Sequence, residues 1–286
     1  MTRFTAACVQ MRSSDDTAEN IRAASAMIRE AKARGADFVA TPENTTLMAP
    51  DGGAKIEKSF TQEADPALPA FRTLAEELGI WLLIGSLAIK VSETKTANRS
   101  FLIDSNGAIA AQYDKIHLFD VDLPSGEKYR ESNTVEGGSD AVLAETPWGK
   151  VGLTICYDLR FPYLYRALAQ KDAFMLTVPS AFTETTGKAH WHVLLRARAI
   201  ENGAFVIAPA QGGLHANGRK TYGHSLIVSP WGEVLAEGGA EGPEVILAEI
   251  DPAKAVEARQ RIPSLSNERP FALPEIEERR AMRSAS

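Results

Sequence analysis

The chain has 286 residues, 44% of them hydrophobic and 24% charged, with a formal net charge of −6. That is apolar material for one large packed domain or two ordinary ones, and an acidic balance with no basic cluster excludes a nucleic-acid partner. The two cysteines, Cys8 and Cys156, are too few for a disulfide framework or a cysteine-rich zinc site. No signal-peptide pattern opens the sequence, and no apolar run nears the roughly 20 residues of a membrane helix. The expectation is a soluble, cytoplasmic protein without membrane contact.

Residues 4–10 read as a first buried strand. Asp15 or Asp16 caps the following helix, whose apolar face is Ile21, Ala24, Ile28 and Ala31 and whose stop is Gly35. A short strand, 38–40, ends in Thr41-Pro42-Glu43-Asn44, so the chain begins β-α-β with a carboxylate at the second strand end. Residues 44–65 read as loop, 66–79 as helix and 80–85 as strand. Asn106-Gly107 marks a hairpin turn, and its second arm, 108–113, leads to Asp114-Lys115-Ile116-His117. The polar stretch 120–139 shows no periodicity; a loop that long inside a compact domain borders a site more often than it fills space.

The stretch Val151-Gly152-Leu153-Thr154-Ile155-Cys156 climbs to a cysteine, and Pro162 then opens a helix over 162–170. It forms a hairpin with 141–145 through Pro147-Trp148-Gly149, a device repeated at Pro230-Trp231-Gly232 and read as common turn chemistry. Residues 173–178 are a strand, and 187–200 a helix with a face of Val193, Leu194, Ala197 and Ile200. Strands over 205–208 and 245–250 and a helix over 252–261 complete the series. Early alternation of helices and strands, followed by hairpins, predicts a single α/β domain with large mixed sheets covered by helices.

Glu43, Lys115 and Cys156 each follow an apolar run and precede a polar loop, where α/β folds assemble their sites. Each has an ordinary alternative: a solvated Glu43, a Lys115 paired with Asp114, a Cys156 in the core. Together they supply a base, an electrostatic stabiliser and a nucleophile. His190 and His192 do not suggest a metal, because residues two apart on a helix do not share a face.

The segments 41–44, 113–119 and 152–162 resemble the signature segments of the nitrilase superfamily, the carbon–nitrogen hydrolases. Residues 180–202, 222–225 and 230–232 are similar to its Nit-type amidases. The resemblance runs over residues 3–271. It implies a four-layer α-β-β-α sandwich over 1–271, followed by a charged tail at 272–286, and a homodimer formed through the helical layer. It also implies a Glu-Lys-Cys triad: Glu43 as general base, Lys115 stabilising the oxyanion, Cys156 attacking the amide carbonyl to give a thioester. Glu131, in the 120–139 loop, matches the family's second glutamate, and the Tyr157 N–H is the expected second oxyanion donor.

The implied substrate is a small amide bearing a carboxylate, with no cofactor and no metal. Arg160 is the nearest cation in sequence, as substrate anchor or as structural partner of Asp158; Thr183, Thr186 and Gly187 resemble the branch's substrate loop. Arg196 and Arg198 read as structural or interfacial. Tyr163 and His192 stand where the branch carries Glu, which bears on substrate preference or a supporting hydrogen bond and leaves the triad untouched. The alternatives are an omega-amidase or another carbon–nitrogen hydrolase such as a carbamoylase, or, from a different class, a catalytically idle dimeric binding protein.

Overall fold

In a computed structural model, residues 2–123 and 126–273 are described. The tail expected over 272–286 lies outside them except for its first two residues. The strand Phe4–Gln10 (β1) leads to Thr17–Ala33 (α1), whose N-terminus is capped by the Asp16 carboxylate accepting the Glu19 N–H at 2.9 Å. Phe38–Ala40 (β2) follows, then Gly52–Lys58 (α2), Ala67–Leu78 (α3) and Trp81–Lys90 (β3). Thr96–Ile103 (β4) and Ile109–Asp114 (β5) form the hairpin, its turn held by the Asp104 carboxylate, which accepts from Asn106 and Ala108 N–H. Asp120–Asp122 (β6), Lys128–Arg130 (β7) and Val135–Glu136 (β8) come next. Val142–Thr146 (β9) pairs with Gly149–Leu153 (β10), and a 3-10 turn at Cys156–Arg160 runs into Pro162–Gln170 (α4). Ala173–Thr177 (β11), Glu184–Asn202 (α5), Phe205–Ala208 (β12), Gly212–Leu214 (β13) and Lys220–Tyr222 (β14) precede Leu226–Val228 (β15) and Val234–Glu237 (β16). Glu244–Ile250 (β17) and Ala253–Arg261 (α6) end the series.

Two mixed sheets result. One is ordered β17-β1-β2-β3-β4-β5, with β8 beside β4; the other is β16-β15-β12-β11-β10-β9. Parallel pairing joins β1, β2 and β3, and again β10, β11 and β12. Successive side chains along a strand point to opposite faces, and β1 shows the result. Ala6 and Cys8 join Phe38, Ala40, Leu83, Leu153, Val206 and Leu226 in the core between the sheets. Ala7 and Val9 pack outward with Ala24 and Ile28 of α1 and Phe71 and Leu74 of α3. Leu164 and Leu168 of α4 and Trp191 and Leu195 of α5 cover the other sheet. The expected α-β-β-α sandwich is what the chain forms.

Three expectations need correction. Residues 44–65 contain the helix α2, hidden in sequence by Gly52 and Gly53 but started by Asp51, whose carboxylate accepts the Ala54 N–H. The 120–139 stretch carries the β6–β7 ladder, Asp120 opposite Arg130, and a 3-10 turn at Glu131–Asn133. On α5 the buried line is Trp191, Leu195, Arg198, Ala199 and Asn202, not the face built on Val193 and Ile200. Arg198 is buried with its donors met, Nε and Nη2 on Leu159 O and Nη1 on Glu201 Oε1. Val193 and Ile200 are left 69% and 53% exposed.

Candidate active site

The C-terminal ends of β2, β5 and β10 meet. Glu43 follows β2, Lys115 follows β5 and Cys156 opens the 3-10 turn after β10; all three are buried. The Lys115 ammonium, 2% exposed, lies 2.9 Å from Glu43 Oε1 and 2.9 Å from Glu131 Oε2. Asn98 on β4 donates to Glu43 Oε1 at 2.9 Å and to Glu131 Oε1 at 3.2 Å. The Ala181 N–H, beyond the end of β11, closes the set on Glu43 Oε2 at 2.8 Å. Lys115 is not paired with Asp114, which is taken by Arg99 in a bidentate bridge of 2.6 and 2.7 Å.

The electrostatics follow from burial. Desolvation alone raises the Glu43 carboxyl, but the Lys115 charge and hydrogen bond, with the Cys156 thiol and Arg219, outweigh it and hold Glu43 below the usual carboxylate range. Desolvation pulls Lys115 down, and Glu131 and Glu43 override it, so the ammonium stays charged. The Cys156 thiol is pushed up, first by burial and then by the Glu43 charge, against the opposing pull of Lys115. The resting site is thus a neutral thiol beside an ionised carboxylate, itself fixed by a cation.

Cys156 sits at φ +48°, a left-handed conformation unusual for a residue with a side chain. Its N–H donates to Pro179 O at 3.0 Å. The turn is pinned by the fully buried Asp158. Oδ2 of Asp158 accepts the Ile155 N–H at 2.8 Å and the Tyr113 hydroxyl at 2.7 Å, and Oδ1 meets His117 N at 3.1 Å and His117 Nδ1 at 2.7 Å. One carboxylate therefore ties the nucleophile turn to the chain on both sides of Lys115. Tyr163 joins the same set, its hydroxyl 2.6 Å from His117 Nε2.

These groups open onto a cavity of about 410 Å³ lined by Glu43, Lys115, Glu131, Cys156, Tyr157, Thr183 and Thr186 among others. Thr183 and Thr186 are buried, with their hydroxyls 2.7 Å apart. Tyr157 occupies the first turn of the 3-10 segment, where backbone N–H groups have no partner within the helix. No side chain could replace the hydrogen of Gly187, because a Cβ there would lie 2.3 Å from the Tyr222 ring.

The carbon-nitrogen hydrolase family matches residues 5–260. The chain belongs to that family. This hydrolase is 42% identical over 271 residues to a Synechocystis protein named deaminated glutathione amidase, covering 93% of this chain and 98% of that one. It is 40% identical over 279 residues to the human protein of the same name, covering 92% and 82%. The NitFhit protein of C. elegans shares its fold with a TM-score of 0.87 at 37% identity over 93% of this chain, which spans 65% of that longer protein. Saccharomyces cerevisiae Nit3, a member of branch 10 of the nitrilase superfamily, follows it with a TM-score of 0.84 at 30% identity, covering 94% and 97%. The protein is an enzyme acting on carbon–nitrogen bonds, an amidase.

In this carbon–nitrogen hydrolase one sequence expectation falls outside the cavity. Arg160 does not line it and does not pair with Asp158. Its guanidinium lies over the rings of Phe182 at 5.5 Å and Tyr157 at 6.0 Å, with His190 Nδ1 at 3.3 Å. The cations that do line the cavity, beside Lys115, include Arg219 and Lys55. Arg219 lies over the Tyr129 ring at 5.4 Å and donates to Ala181 O, and its buried Nε has no hydrogen-bond partner among the described residues. Lys55 Nζ donates to Asn44 Oδ1 at 3.0 Å. Neither stands at a strand end, so the periodicity that exposes the triad is silent about them.

Replacing Asp158 with alanine strands several buried donors at once. Asp158→Ala is expected to lower the unfolding free energy by about 3–5 kcal/mol, read from urea midpoints at constant slope. A loss below about 1 kcal/mol would show that the carboxylate does not hold the turn.

Proposed function

We propose that the enzyme is a thiol-dependent amidase that hydrolyses a small amide bearing a carboxylate, of the deaminated glutathione type, through a thioester on Cys156. The observation that carries the reading is the Cys156 thiol buried against Glu43, whose carboxylate otherwise accepts only from Lys115, Asn98 and the Ala181 N–H. Glu43 takes the thiol proton as sulfur attacks the carbonyl carbon, and the carbonyl becomes a tetrahedral oxyanion. The Lys115 ammonium, which donates to Glu43 Oε1 and to both oxygens of Glu131, sets its positive charge toward the oxyanion, alongside the Tyr157 N–H. Glu43 returns the proton to the leaving nitrogen, the C–N bond breaks and ammonia or an amine departs. Water then attacks the thioester while Glu43 accepts its proton; the C–S bond breaks, the acid leaves and the thiol is restored. Glu131 acts by holding Lys115, and Thr183 and Thr186 shape the acyl end of the cavity.

The carboxylate preference rests on Arg219, a half-buried guanidinium in the cavity wall. It replaces Arg160 as the favoured anchor, with Lys55 as a second cation. Omega-amide and carbamoyl substrates remain the competing readings within the family. The enzyme is further read as a homodimer through its helical layer: Val193, Ile200 and Trp231 are each more than half exposed, and the Gly232 turn lies against the Ile200 side chain. Two unpaired cysteines suit the reducing cytoplasm, which cell fractionation reads directly.

Cys156→Ala is expected to lower turnover by about 10⁴-fold or more on whichever of deaminated glutathione, α-ketoglutaramate and a carbamoyl amino acid the enzyme prefers; full activity in that variant would remove the thioester. Iodoacetamide is expected to label Cys156, which faces the cavity, well before the fully buried Cys8. The binding-protein reading predicts neither that labelling preference nor turnover of any of the three amides. Arg219→Gln is expected to raise KM for a carboxylate-bearing amide about 10- to 100-fold and to spare a neutral amide; equal effects on both would shift the anchor elsewhere. Ile200→Glu is expected to halve the apparent mass on size exclusion, and an unchanged elution volume would place the pairing surface on another face.

A further inference from the structure

A metal on His190 and His192 fails on helix geometry, but the fold gives His192 different neighbours. His192 on α5, His224 between β14 and β15, and Glu237 at the end of β16 converge, and one donor atom from each lies within 4.8 Å of the other two. Nε2 of His192 is 2.9 Å and Nδ1 of His224 is 2.8 Å from the same oxygen, Glu237 Oε1. None of the three lines the cavity of Cys156. We propose that His192, His224 and Glu237 form a Zn²⁺ site separate from the amidase chemistry.

Donor type, geometry and preorganisation agree. Two imidazoles and one carboxylate are a borderline nitrogen–oxygen set of the kind Zn²⁺ takes, with water filling the fourth position. Tetrahedral bonds of about 2.0–2.1 Å put donor atoms about 3.3 Å apart, so the 2.8 and 2.9 Å contacts open by about half an ångström while the two imidazole nitrogens, within 4.8 Å of each other, adjust to the same spacing. Both imidazoles aim at one oxygen, and among the described residues no hydrogen bond falls on Oε2, a focus that ion binding explains and simple pairing does not require.

The backbone around His224 is fixed before any ion arrives. His224 stands at φ +52°, strain that persists where surroundings over-determine it and that clusters at functional positions. Its N–H donates to Gly239 O at 3.0 Å and its carbonyl accepts Trp191 Nε1 at 2.8 Å. Trp191 directly precedes His192, so one hydrogen bond sets both ligand-bearing segments. The side chains of His192, His224 and Glu237 are 32%, 23% and 40% exposed, which leaves the site open to solvent. A bound ion would cross-link α5, whose first turn carries Thr186 at the cavity, to β15 and β16.

The test uses the full chain, stripped with EDTA, and Zn²⁺ or Co²⁺ as the probe. Because the Cys156 thiol is itself a zinc ligand by chemistry, binding is measured in the wild type and in Cys156→Ala. One Zn²⁺ per chain by equilibrium dialysis, tetrahedral Co²⁺ absorption and a zinc-dependent rise in Tm are expected in both. His192→Gln is expected to weaken binding at least 10-fold, and His192→Cys to restore it with added sulfur-to-cobalt absorption. The proposal is overturned if no ion binds at micromolar Zn²⁺, if His192→Gln binds like the wild type, or if Cys156→Ala alone abolishes binding.

Discussion

The structure is arranged around one buried cation. The Lys115 ammonium lies between Glu43 and Glu131 with almost no exposure to water. Stripping such ions of water costs several kcal/mol each, and the cost is recovered only when geometry is tight and the remaining polar atoms are satisfied. That requirement reaches far into the fold, because the three partners come from the end of β2, the end of β5 and the 3-10 turn after β7. Asn98 bridges both carboxylates, and Lys115 O accepts the Gly138 N–H, holding the chain beyond the turn. Gly85 in β3 makes room for the strand end that bears Glu43, since a Cβ there would lie 2.0 Å from Thr41 O. Packing far from the reacting atoms thus fixes where a charge sits.

A division of labour follows. Glu43 spends all its hydrogen bonds on donors, which keeps it ionised, while Cys156 is buried against that negative charge, which keeps the sulfur protonated. Proton transfer between them can then accompany attack on a substrate, with no standing thiolate exposed to oxidation. Asp158 is the mechanical counterpart: it joins the cysteine turn to Tyr113 and His117 on either side of Lys115, so nucleophile and cation share one foundation.

The triad was legible in sequence because each member ends an apolar run, and such runs are what periodicity reports best. Glu131 was reachable only through resemblance; nothing in the polar 120–139 stretch distinguishes it, and the β6–β7 ladder there is too short to leave a pattern. Lys55 and Arg219 were silent for the same reason, one on a glycine-started helix and the other in the β13–β14 turn region. The face of α5 was misread because the helix is apolar on two sides. Its buried side includes Arg198 and Asn202, polar residues that sequence patterning assigns to solvent; the fold gives the Arg198 guanidinium Leu159 O and the Asn202 amide nitrogen Arg198 O as acceptors. The paired Pro-Trp-Gly turns, read as unrelated, serve unlike ends: Trp148 stacks on Phe4 at 4.1 Å, and Trp231 is half exposed.

The left-handed backbone at Cys156 carries a consequence for how such a sequence drifts. A side chain at that φ costs on the order of 1 kcal/mol that glycine would not incur, and burying an ionisable sulfur beside a carboxylate adds to the burden. Selection for stability alone would therefore erode this position toward glycine and leave a better-folded, inert protein. That the strained residue here is a cysteine marks the position as one where chemistry has outweighed foldability.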